Sequence, residues 1–312
     1  MVRIGHSDLD IFPLNLGGNV FGWTADKQTS FDVLDAFVAG GGNFIDTADV
    51  YSAWVPGNTG GDSEAILGEW IASRGNRDRV VIATKVGSWE QAPGSSRANI
   101  LAAVEGSLQR LQSDYIDLYY IHRDDPNTPL EETIGALDEL VKAGKVRAIG
   151  ASNFSPERLE EALAISERTG QAAFAALQPH YNLVYRKEYE GALEAVVATH
   201  GLSTIPYSSL ASGFLTGKYR DENASGDTSP RAGGARKYLD DRGRKVIATL
   251  DEVAAAHNAS VTSVSLAWLR QQPTVAAPIA SASTPVQVPD LLASATLELA
   301  ADEVAALSDA SR

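Results

Sequence analysis

Cysteine is absent from all 312 positions, which excludes disulfides, thiolate nucleophiles and cysteine-held metal. Histidine is scarce: five are scattered at positions 6, 122, 180, 200 and 257, so a hydrolytic metal centre has little to be built from and no metal site is expected. Lys and Arg (26) are outnumbered by Asp and Glu (40), and a net charge of −14 argues against nucleic acid or an anionic membrane as partner. That deficit does not bar a small anion, because a helix N-terminus binds phosphate against the global sign. No apolar run approaches the roughly 18 residues of a membrane span, and MVRIGHSDLDIF has no run of signal-peptide length. The expected setting is the cytoplasm. Oligomeric state has no signature in the chain.

What is present is a rhythm. Short β-rich apolar runs recur as PLNLGG, NFIDT, RVVIATK, YIDLYYIH, VRAIGAS, AALQPH, LSTIPYS and VAAPIAS. Between them lie helical periodicities such as DSEAILGEWIASRG, ANILAAVEGSLQRLQ and SPERLEEALAISERTG, several opening on Ser or Asp and several closing on Gly. Strands alternating with helices at roughly 30-residue spacing predict a closed (β/α)8 TIM barrel, here a single domain over 1–312. An open doubly wound sheet is the alternative, but no GxGxxG follows the first strand. Two segments break the rhythm: SAWVPGNTGGD (52–62), and a long polar stretch, 219–237, after the seventh strand. Loops of that length in compact domains tend to be functional, and 219–237 is expected to close over a ligand. Helices are expected at 243–257 and 261–272 and near the C-terminus.

In such a barrel the working face lies at the carboxyl ends of the strands. There stand Asp46 and Tyr51 after the second strand, Lys85 at the end of the third and His122 at the end of the fourth. Each has a bland reading: a lysine reaching water, a satisfied histidine, a capping carboxylate, a packing tyrosine. Their convergence on one rim favours chemistry. A lysine ammonium beside a phenol lowers the phenol's pKa, a carboxylate holds the lysine charged, and a neutral histidine can hydrogen-bond a carbonyl oxygen. No side chain supplies electrons, so this acid implies a bound hydride donor.

In order, FIDTADVY, VVIATKVG, YIDLYYIHRDD, GKVRAIGASNF, LQPHYNLV and IPYSSLASGFLTGKY resemble the aldo-keto reductase superfamily, in particular its aryl-alcohol-dehydrogenase-like and potassium-channel β-subunit-like branch. The likeness runs from the RIGHSDLDIFPLNLGG hairpin to the last strand. It implies an N-terminal β-hairpin, cofactor-binding loops and helices at the C-terminus, and reduction of a small aldehyde or ketone. Tyr51 becomes the general acid, Asp46 and Lys85 its tuners, and His122 the carbonyl-orienting group. Ser152, Asn153 and Gln178 would hold a nicotinamide carboxamide, Tyr207 would stack on the ring, and Ser208, Leu210, Ser212, Gly213 and Lys218 would line the pyrophosphate. The same residues would serve a sugar or polyol dehydrogenase working in the oxidising direction, or a cofactor-sensing regulatory subunit of slow turnover.

The tail departs from the family pattern. IASASTPVQVPDLL (279–292) carries Ser281 for a glycine, Ser283 where arginine is common and Leu291 where asparagine is usual, with Gln287 retained. NADP(H) is the family expectation, but no Lys or Arg stands between Arg270 and Arg312 to grip its 2′-phosphate, which leaves NAD(H) open. Arg231 and Arg236 of the long loop are the cations that could reach across. Trp23, Trp54 and Trp89 follow the first three strands and suggest a flat, aromatic or sugar-like substrate, with Asp49, Asn58 and Arg123 as polar contacts.

Overall fold

VIATKV and IDLYYI, the third and fourth apolar runs, are buried at every position, as parallel strands covered on both faces must be. A computed structural model describes residues 1–220 and 229–312. In it eight parallel strands are β1 (Asn15–Gly17), β2 (Phe44–Asp46), β3 (Val81–Val86), β4 (Ile116–Ile121), β5 (Val146–Ser152), β6 (Phe174–Gln178), β7 (Ser203–Thr204) and β8 (Ile279–Ala280). They are ordered β7-β6-β5-β4-β3-β2-β1-β8. The ring closes where Thr204 pairs in parallel with Val275. There Thr204 N–H donates to the Thr274 carbonyl at 2.8 Å and Ala276 N–H to the Thr204 carbonyl at 3.0 Å. Prolines trim the last strands, because a residue without N–H cannot extend a ladder. Pro179 ends β6, Pro206 follows β7 and Pro278 precedes β8.

Helices α1 (Lys27–Ala39), α2 (Asp62–Arg74), α3 (Arg97–Leu111), α4 (Leu130–Lys142), α5 (Pro156–Thr169) and α6 (Ala192–Thr199) follow the first six strands. Their caps are the polar residues seen in the sequence. Ser155 accepts from Arg158 N–H ahead of Pro156, and Gly170 closes α5 in the left-handed region. After β7 come α7 (Ala232–Arg236), α8 (Asp241–His257) and α9 (Val261–Arg270); after β8, α10 (Val288–Ala293) and α11 (Ala301–Ala310). The expected helices thus form, α8 starting two residues earlier and α9 stopping two residues sooner than the periodicity suggests. Residues 221–228 of the long polar loop lie outside the described residues, and with them the expected closure of 219–237.

The core has two parts. Strand faces and helices enclose the larger one. The smaller fills the barrel: Phe44, Val81, Ala83, Leu118, Tyr120, Ala148, Ala176, Ile205 and Ile279, with Ile4, Leu9 and Ile11 of the N-terminal hairpin (Val2–Arg3 with Asp10–Ile11) as a plug. Gly5 of that plug donates its N–H to Ser203 Oγ at 2.9 Å, tying the hairpin to β7. Among the described residues no helix is long and apolar enough to cross a membrane.

Candidate active site

Alternation carries the barrel's interior face up to its rim. Side chains two apart on a strand share a face, so the inward Phe44, Ala83, Tyr120 and Ala176 are each followed two positions on by Asp46, Lys85, His122 and Gln178. Gly150, where a Cβ would run into the Tyr120 ring, keeps room for that ring and leads to Ser152 by the same step. Asp46, His122, Ser152 and Gln178 line, with Tyr51, one cleft of about 520 Å³, in the range of small-molecule sites, and Lys85 lies buried behind them.

Lys85 is fully buried, and its ammonium has a partner for each proton: Asp46 Oδ2 at 2.6 Å, the Thr47 carbonyl at 2.7 Å and the Tyr51 hydroxyl at 2.9 Å. Tyr51 in turn donates to Asp46 Oδ2 at 3.2 Å. Gln178 Nε2 donates to the other carboxylate oxygen at 2.9 Å. Lys85 alone should lower the Tyr51 pKa, yet burial first and the Asp46 charge second hold it well above the usual phenol value, so the proton stays on the oxygen. Burial also pulls the Lys85 pKa down, with Asp46 opposing. The His122 ring lies 6.0 Å from that of Tyr51. Burial, then Lys85, depress its pKa well below the usual value, so the imidazole is neutral. This arrangement can give up one proton, from Tyr51, and offer an N–H, from neutral His122, to the same oxygen.

The neighbouring wall is a closed polar chain. Tyr207 donates to Asn153 Oδ1 at 2.8 Å, Asn153 Nδ2 donates to the His122 carbonyl at 2.9 Å and to Ser152 Oγ at 3.0 Å, and Ser152 Oγ donates to the Gln178 carbonyl at 2.9 Å. The Tyr207 ring lies 5.3 Å from that of His180, which stacks on Tyr185 at 3.8 Å, so the cleft wall ends in a rigid aromatic pile. Beyond it Ser208, Ala211, Ser212 and Gly213 all have positive φ. Such backbone is costly outside glycine and forms concavities that bind anions. Leu210 and Lys218 line the same stretch. Ser281, Ser283 and Gln287 line the far end, where Ser281 Oγ donates to Asn19 Oδ1 at 2.6 Å and Gln287 Oε1 accepts the Ser283 N–H at 2.7 Å.

The tryptophans divide. Trp23 and Trp54 meet edge to face at 5.6 Å, and Trp54 lies 6.2 Å from Tyr51. Trp89 instead donates to the Thr59 carbonyl at 3.0 Å and packs against Gly60, with Arg110 over its ring. Of the suggested polar contacts, Arg123 lines the cleft, Asn58 donates to the Gly22 carbonyl, and Asp49 is wholly buried. Arg231 lies over the Trp23 ring at 5.2 Å, and the neighbouring Thr24 hydroxyl shares a hydrogen bond of 2.8 Å with Ser283. Asn19, Thr262 and Asp290 also line the cleft. Asn19 and Thr262 fall in none of the motifs quoted above, Asn19's place just after β1 being the one available signal, whereas Asp290 lies inside the quoted tail 279–292 but carries no motif role there.

A closed barrel with a lysine-braced tyrosine at the carboxyl rim and an elongated cleft beside it defines an oxidoreductase that borrows its electrons. Comparison with known proteins agrees. Residues 13–312 match the aldo/keto reductase family. The chain is 36% identical over 273 residues to the aldo-keto reductase YhdN of Bacillus subtilis, covering 83% of this chain and 76% of that one. Protein tas of Escherichia coli is 31% identical, with 97% and 95% covered. A probable voltage-gated potassium channel subunit beta of Oryza sativa is 33% identical, with 92% and 88% covered. The chain belongs to the aldo/keto reductase family and is an NAD(P)H-dependent oxidoreductase.

Proposed function

We propose that the protein reduces an aldehyde or ketone to the alcohol, with Tyr51 as the general acid. The observation that carries this reading is the Tyr51 hydroxyl itself, gripped by Lys85 at 2.9 Å, bonded to Asp46 and kept protonated by burial. A protonated phenol is the acid that carbonyl reduction consumes, and the same group serves as base when the reaction runs in reverse. The nicotinamide cofactor supplies hydride when bound. The chain's own residues do the rest. His122 fixes the carbonyl oxygen by a hydrogen bond from its neutral ring, Tyr51 passes its proton to that oxygen, and the Lys85 ammonium, held in place by Asp46, stabilises the phenolate left behind. Trp23 and Trp54, beside Tyr51, give a flat apolar bed suited to aromatic or sugar-like carbonyl compounds.

A nicotinamide dinucleotide fits the cleft on three grounds. The Tyr207 pile offers a planar partner, the left-handed residues Ser208, Ala211, Ser212 and Gly213 with Lys218 offer an anion cradle, and the Ser152–Asn153–Gln178 chain offers amide-matching donors and acceptors. At the adenosine end Ser281, Ser283 and Gln287 would face the ribose, next to the acidic Asp290. That setting supports a site tolerant of NADH as well as NADPH. The test follows the loss of reduced-nicotinamide absorbance with para-nitrobenzaldehyde. Turnover is expected with either cofactor; binding of neither cofactor, seen by tryptophan fluorescence, would contradict the reading.

A further inference from the structure

Arg231 is a cation of the cleft that the chemistry above does not use. It precedes α7, whose Gly234 packs so near Ser212 that a Cβ there would sit 3.0 Å from the Ser212 hydroxyl. From that wall the side chain spans to the opposite one and lies 5.2 Å over the Trp23 ring. Its Nη2 is buried with no hydrogen-bond partner among the described residues. Among the described residues the groups acting on its charge are the phenols of Tyr51 and Tyr219, with no carboxylate among them, and burial weakens its hold on its proton.

Other part-buried arginines of the fold are paired. Arg77 holds Asp117 at 2.7 Å, Arg110 holds Glu64 at 2.6 Å, Arg158 holds Asp124 at 2.9 Å and Arg186 holds Glu190 at 2.7 Å. Withdrawing a guanidinium from water without an anion is costly, so a partner brought by a ligand is the economical explanation. Trp23 supplies the flat face on which a guanidinium stacks, leaving its planar edge for an oxyanion.

We propose that Arg231 anchors a carboxylate on the substrate, so that the preferred substrates are aldehydes or ketones that also bear an acid group. The position favours substrate over cofactor. Arg231 lies over Trp23, which packs on Trp54, itself 6.2 Å from Tyr51, and all three lie toward the reacting hydroxyl, whereas Ser208, Ser212, Gly213 and Lys218 line the stretch suited to a pyrophosphate. The inference rests on carbonyl reduction at Tyr51, and its test separates the two.

Steady-state rates are measured for the ortho, meta and para carboxybenzaldehydes and their methyl esters with wild type, Arg231→Gln and Arg231→Lys. Terephthalate, which cannot react, is titrated against the cofactor-loaded protein by tryptophan fluorescence. In wild type the best acid should outpace its ester by at least about tenfold in kcat/KM, the value of one charge-assisted pair. Arg231→Gln should raise the acid's KM roughly 10- to 100-fold, shift the ester's less than about threefold and weaken terephthalate in parallel, and Arg231→Lys should recover part of both. Cofactor Kd should be unchanged. Acid and ester falling together, or terephthalate binding untouched by the substitution, would overturn the anchor. A weakened cofactor Kd with an unchanged acid-to-ester ratio would also overturn it and assign Arg231 to the pyrophosphate. Arg231-dependent terephthalate binding in a wild type that reduces none of these aldehydes would keep the anchor and sink carbonyl reduction.

Discussion

Asp49 shows how a single residue beside the machinery differs from what its place in FIDTADVY implies. It stands between Asp46 and Tyr51, yet both its carboxyl oxygens are buried with no hydrogen-bond partner among the described residues. Burial first, then Glu64, push its pKa up to about 7, with Arg110 pulling the other way. A carboxyl whose folded pKa is raised stabilises the fold fully below its unfolded value, and loses that contribution as pH climbs through the folded one. The window here runs from about pH 4 to about pH 7. Asp49→Asn is therefore expected to unfold at higher urea than wild type at about pH 8, by roughly 1–3 kcal/mol, with the gap closing toward about pH 4.5. An advantage that does not depend on pH would contradict this account. At the same scale, Asp46, Lys85 and His122 were legible because period two delivers inward side chains to the rim. The Gln178 bond to Asp46 was not: it spans 132 positions, and only the closed ring brings the ends together. The direction taken by Arg231 was illegible for the same reason, since a loop residue has no periodicity to aim it.

Elements were easier to read than their lengths. All eight apolar runs became barrel strands, but β7 and β8 are only two residues long, because Pro206 and Pro278 interrupt the ladder. Helix packing depended on small residues that the motifs did not single out. Gly68 lies on the face of α2 that meets α3, where a Cβ would fall within 2.8 Å of the Leu111 carbonyl carbon and nearer still to the Arg110 carbonyl oxygen. Both obstacles are backbone and cannot swing aside. Gly68→Ala should gain about 1 kcal/mol of helix propensity and lose more to overpacking, for a net destabilisation of roughly 1–2 kcal/mol in urea unfolding. A stabilised variant would mean that α2 and α3 can part without cost.

For the molecule as a whole, the acidic charge set against cations gathered in one cleft is the informative contrast. Arg123, Lys218 and Arg231 line the cleft, while its serine-rich end carries Asp290 and none of them is assigned there by the tail sequence 279–292. NADPH should accordingly bind less than about tenfold tighter than NADH, and Ser283→Arg should tighten NADPH by about tenfold while leaving NADH alone. Equal effects on both cofactors would show that position 283 does not face the 2′-phosphate. The (β/α)8 architecture was legible from rhythm alone and the family from six ordered motifs, whereas substrate preference sits in side chains that only the folded cleft assembles.

The central claim is that the proton for carbonyl reduction comes from Tyr51, and Tyr51→Phe tests it most directly. The substitution removes one oxygen and leaves the ring beside Trp54 and His122 in place. Turnover of a good aldehyde should fall at least about a hundredfold, in the range of a lost general acid, while cofactor Kd stays within about threefold of wild type. A variant that keeps more than about a tenth of the wild-type rate with the cofactor bound would contradict the account.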